Sequence, residues 1–134
     1  GELGSKIFYI YMIFTNQELG AILKMATVMA NADGHISEEE KTMMAVELLR
    51  FGVNENKAPI ITKEATALTP VEACIIISKM TTEEKRYVTA YLGAMICADG
   101  KIDNSEIKAW ALISNLCNLP QMTIKEALDI MTNL

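Results

Sequence analysis

The sequence predicts an all-α fold: a compact bundle of about seven or eight helices made of two related halves. Three observations carry this. Apolar residues recur at helical spacing, and no segment alternates with period two between turn signals. Helix caps punctuate the chain at regular intervals. The third is an internal repeat. Met29-Ala30-Asn31-Ala32-Asp33-Gly34-His35-Ile36-Ser37-Glu38-Glu39-Glu40 returns 66 residues later as Met95-Ile96-Cys97-Ala98-Asp99-Gly100-Lys101-Ile102-Asp103-Asn104-Ser105-Glu106. Repeats of this kind dictate architecture. The offset divides the chain into halves at approximately 4–68 and 69–134, within one domain spanning 1–134.

The elements follow in order. The chain starts on Gly1 and not Met, which reads as a processed or tag-derived start. Ile7–Phe14 is an unbroken apolar run of eight, too short to span a bilayer. A short buried helix is the expected form and a strand its rival. Thr15 or Asn16 caps a helix over about 17–31, with Leu19, Ile22, Leu23, Ala26 and Met29 on one side. Gly34 permits the left-handed backbone that ends a helix. Ser37 caps the next helix, 38–51. A turn at Val53–Lys57 leads to a third helix over 57–67, with Pro59 tolerable in its first turn. Thr69-Pro70 opens a short helix to about Lys79. The second half then replays the first, with helices at 83–97, 104–117 and 124–132.

The repeat extends past the loops. Thr15-x-x-Glu18 falls on Thr81-x-x-Glu84, and Gly52 on Asn118, the two residues best suited to a left-handed cap. Ser37-x-x-Glu40 and Asp103-x-x-Glu106 both have capping-box spacing, as does Thr123-x-x-Glu126. Ile36 and Ile102 precede their caps, where an apolar residue can staple the turn, with Ile107 the partner expected for Ile102.

Composition limits the function classes. Three cysteines without a Cys-x-x-Cys argue against a disulfide framework and for a reducing cytoplasm. Net charge is −5, and the two loop windows, 33–40 and 99–106, hold seven acids against one base. Such a chain is a poor binder of nucleic acid and suits a cation or a basic protein partner. Nine methionines at helical spacing read as pliable core filler, with a Met-rich groove as the sharper reading. No Gly-rich phosphate loop, Cys/His pair or spare histidine marks an enzyme.

The loops match part of a calcium loop. With Gly34 at position 6 of an EF-hand, Asp33 falls at 5, Ile36 at 8 and Glu40 at 12. In the second copy Asp99 falls at 5, Ile102 at 8, Asp103 at 9 and Glu106 at 12. Met29 or Met95 stands at position 1, so neither loop is an EF-hand alone. The arrangement expected for a bound metal is therefore one ion shared by both loops, with Asp33, Glu40, Asp99, Asp103 and Glu106 as candidate ligands. Their oxygen donors suit calcium, magnesium or manganese. The structural alternative is that the aspartates serve turn amides and the glutamates close capping boxes. His35 sits beside Asp33 as a further candidate, although Lys101 replaces it in the sister loop.

The doubled Ala-Asp-Gly-x-Ile-x-x-x-Glu, at Ala32–Glu40 and Ala98–Glu106, resembles the tellurite-resistance TerB family and its TerB-like relatives, across about residues 15–134. The resemblance implies two helical halves that bring the acidic loops near each other. It implies a stress-linked binding or adaptor module with suspected metal binding, and no enzyme. Asp33, Glu40, Asp99 and Glu106 are the positions it carries over. Ser37 departs from the pattern where the second copy has Asp103, and the apolar segment Ile7–Phe14 lies outside the clear match. Two readings stand: a divalent-cation module, and an adaptor whose acidic face docks a basic protein.

Overall fold

Seven helices make up the described part of the chain. The structure is a computed structural model and describes residues 13–134. Most of the expected helix or strand at Ile7–Phe14 falls outside the described residues; Ile13 and Phe14 lie in non-helical chain, Phe14 buried and Ile13 exposed. The helices are α1 (Asn16–Ala30), α2 (Glu38–Arg50), α3 (Ala58–Ala67), α4 (Pro70–Ser78), α5 (Thr82–Ile96), α6 (Asn104–Leu116) and α7 (Ile124–Thr132). No strand occurs among the described residues.

Local chemistry sets most helix starts. Thr15, Ser37, Thr69, Thr81 and Thr123 each close a reciprocal capping box with the glutamate three residues on. Each box satisfies two backbone amides that the first helical turn cannot. The turns after α1 and α5 share two backbone bonds, Ala32 N–H to Met29 O with Ala98 N–H to Met95 O, and the glycine bonds that follow. Gly34 N–H donates to Asn31 O and Gly100 N–H to Cys97 O, with φ of 85° and 78°. Those are left-handed angles, which glycine adopts without a Cβ clash. After α2 and α6, Gly52 (φ 78°) and Asn118 (φ 54°) turn the chain in the same way.

Packing is organised around α1 and α5. Every residue from Tyr87 to Ile96 of α5 is buried, which makes it the central helix. Helix α1 packs against α3, α4 and α5, and α5 also takes α6 and α7. Two glycines permit the closest approaches. A Cβ on Gly20 would lie 2.7 Å from Glu64 Cβ, and one on Gly93 would lie 2.6 Å from the Trp110 ring. Trp110 Nε1 donates to Thr89 O at 3.1 Å, tying α6 to α5. The fully buried core draws on every helix except α2, whose Met43, Met44 and Leu48 only lean against it. Ile102 departs from expectation. It is 60% exposed and does not staple its turn, whereas Ile36 packs against the core.

No helix among the described residues is long and apolar enough to cross a membrane.

Candidate functional site

The turns after α1 and α5 bring the two acidic loops together. Carboxylate oxygens of Asp33, Asp103 and Glu106 all lie within 4.8 Å of one another. Asp33 is held by its own turn, where its Oδ1 accepts from His35 N–H at 2.9 Å. Asp103 is the N-cap of α6, and its Oδ1 accepts from Ser105 N–H at 2.7 Å and Glu106 N–H at 3.2 Å. Backbone amides thus hold one oxygen of each aspartate.

Glu106 does not close the capping box that its spacing predicts. Asp103 makes its half of the box, but no return bond from the Glu106 carboxyl forms. That carboxyl is buried and faces Glu40. Glu40 does close its box, its Oε1 accepting from Ser37 N–H at 2.9 Å. The Oε2 atoms of Glu40 and Glu106 are both buried with no hydrogen-bond partner. Burial first, then Glu40, Asp33 and Asp103, push the Glu106 carboxyl up to about 8 from its ordinary value of 4.5. Crowded, desolvated carboxylates cannot all ionise without a counter-charge. Among the described residues the one ion pair is Lys41–Glu38, exposed and outside this cluster.

Asp99 is not brought into the group. Its Oδ1 accepts from Lys101 N–H at 3.0 Å, mirroring Asp33 in its own turn. Asp33 meets Asp103 and Glu106; the reciprocal partners of Asp99 would be Ser37 and Glu40. Ser37 carries no carboxylate, so that side has two acids where this side has three. The His35 side chain is not part of the group either. Of the five candidate ligands, three carboxylates converge, Glu40 adjoins them and Asp99 stands outside the group.

Sequence reasoning missed a third buried acid. Glu47 is 3% exposed and accepts from Tyr87 Oη at 3.0 Å. Burial pushes it up to about 8, against the Tyr87 hydrogen bond, the nearby Tyr91 hydroxyl and the charge of Arg50. A signal was present. Glu40 and Glu47 are seven residues apart, on one helical stripe with Met43, Met44 and Phe51. A groove of about 380 Å³ on another face is apolar, lined by Val28, Val71, Ile75, Leu112 and Leu116 among others.

The chain is similar to a protein of unknown function, PG1108 from Porphyromonas gingivalis, known from a crystal structure. The two are 41% identical over 90% of this chain and 92% of that one, with a TM-score of 0.80. No family model matches the chain, and no curated protein matches it.

Proposed function

The chain belongs to the same family as the Porphyromonas gingivalis protein, and on that premise we propose a non-enzymatic, TerB-like module that binds one divalent cation between its two acidic loops. Asp33, Asp103 and Glu106 are the proposed ligands, with Glu40 Oε2 as a fourth oxygen and water completing the shell. The reading includes an ancestral duplication, supported by the matched turns and caps of the two halves.

The observation that carries it is the pair of buried, unpartnered Oε2 atoms beside converging aspartates. Buried charge without a partner is costly. A cation supplies the partner. Oxygens up to 4.8 Å apart fit a shared ion at roughly 2.3–2.6 Å from each, the range for calcium, and closer-set waters would serve magnesium. An all-carboxylate set disfavours zinc, which takes nitrogen and sulfur donors. A non-enzymatic role fits the thiols: burial raises both Cys97 and Cys117 above the ordinary range, which suppresses the nucleophilic thiolate. All three cysteines are free, in keeping with the cytoplasmic setting included in this proposal.

A second reading rests on the exposed acids Asp33, Glu38, Glu39 and Asp99, all at the loop end. These suit an adaptor surface for a basic protein partner. Melting curves separate the two. The cation reading expects calcium, magnesium or manganese chloride to raise the melting temperature well beyond sodium chloride at equal ionic strength. Equal shifts in all salts overturn it and favour the adaptor.

A further inference from the structure

Helix α2 is attached to the body differently from its neighbours. Its two buried residues are both acids, Glu40 and Glu47. Val46 and Leu49 face solvent, and Met43, Met44 and Leu48 are half-buried. An apolar stripe normally anchors a surface helix; here a glutamate occupies the deepest position of the second half of the helix. We propose that α2 is a proton-controlled latch: protonated Glu47 seats the helix on Tyr87 and Tyr91 of α5, and loss of that proton lifts it locally.

Geometry supports the latch at three points. Tyr87 Oη donates to Glu47 Oε1 at 3.0 Å. Tyr91 Oη is buried beside the same carboxyl with no hydrogen bond of its own. Both phenols can donate to an ionised Glu47, yet burial of the carboxyl outweighs them and keeps it protonated while the helix is seated. A cavity of about 120 Å³ adjoins the group, lined by Met43, Glu47, Arg50, Tyr87, Tyr91 and Met131 among others. Such a void leaves Glu47 short of packing partners and gives water a route to it once it ionises.

The groups facing Glu47 are few. On α5 they are Tyr87 and Tyr91, both pushed further above the ordinary phenol range by burial, so both stay neutral. On α2 it is Arg50, which favours the ionised form but does not outweigh burial. Helix α7 lines the cavity with Met131 and no charge. Among these groups the Glu47 proton is therefore the one that changes between neutral and mildly alkaline pH. Its loss leaves a desolvated carboxylate whose cheapest relief is exposure. The buried core takes no residue from α2, so the helix can lift while the core persists, as in local opening.

Hydrogen exchange on the full chain tests this, in chelator and from pH 6 to 9, with intrinsic rates corrected. Protection over residues 44–51 is expected to fall by up to about tenfold per pH unit towards pH 8, the limit for one proton, while α5 stays protected. Glu47→Gln, which keeps an acceptor for Tyr87 and never ionises, should flatten the fall. Unchanged wild-type protection, or an equal fall in Glu47→Gln, overturns the latch. A carbon-13 titration of the wild-type carboxyl needs no variant: a Glu47 midpoint well above the ordinary carboxylate range is expected, and an ordinary midpoint also overturns it.

Discussion

Glu40 and Glu106 face each other from opposite halves of the chain, 3% and 4% exposed, each with an Oε2 that meets no donor. Few arrangements are less comfortable for two acids. Either a proton or a cation must sit between them, and the first predictions follow from that choice.

Removing one of the two charges should stabilise the cation-free protein. Glu106→Gln is expected to raise stability at pH 8 in chelator by on the order of 1 kcal/mol, because it removes like-charge repulsion while keeping the shape. The same variant should lose the gain from divalent ions. For the wild type that gain is about 2.7 kcal/mol at a concentration one hundred times the dissociation constant. Paired urea melts with and without calcium check both. Asp103→Asn should also lose the ion-specific gain, while still capping α6.

The cation-free protein should be more stable at pH 5 than at pH 8. Glu47 and Glu106 are both raised from 4.5 to about 8 in the fold, so between those values the native state holds protons that the unfolded chain has lost. Their contribution is full below about pH 4.5 and is lost as pH rises through about 8. Each group can cost up to about 1.4 kcal/mol per pH unit in that window. Urea midpoints at pH 5, 6.5 and 8 in chelator measure it. A divalent ion should remove the Glu106 share and leave the Glu47 share.

Two kinds of glycine substitution should fail for different reasons. A Cβ at Gly34 or Gly100 meets no atom within 4 Å, so the cost expected for Gly34→Val and Gly100→Val is backbone strain at φ of 85° and 78°, on the order of 1–2 kcal/mol each. Gly93→Ala keeps a helical backbone but drives a methyl into Trp110 and Ala127, at 2.6 and 2.9 Å. Overpacking of that kind costs about 1–3 kcal/mol. Thermal melts of the three variants give the comparison.

Residues 68–134 alone should not fold cooperatively. Helix α4 packs on α1, and α1 also meets α5 and α6. The fragment would expose the faces that Ile22, Met25 and Met29 cover. Weak, non-cooperative helix signal by circular dichroism is expected.

The helices were legible because their starts are local. Thr15, Ser37, Thr69, Thr81 and Thr123 act within four residues of themselves. The left-handed turns at Gly34 and Gly100 were legible for the same reason. The missing Glu106 return bond was not, because the carboxyl lies instead beside Glu40, far away in sequence. Asp33 and Asp99 read alike in sequence and make the same turn bonds. What separates them is which acids the other loop presents, and that is a tertiary fact. Glu47 was overlooked because polarity in a helix normally marks a solvated face, and here it marks the buried one.

The central claim is one cation held by Asp33, Asp103 and Glu106. An anomalous-scattering map from crystals grown with manganese chloride tests it most directly. The account predicts a single strong peak between the two loops, about 2–2.6 Å from a carboxylate oxygen of each of the three. The same peak should be absent in Asp33→Asn crystals. A map without density there, in crystals whose loops keep the wild-type turns, would contradict the account.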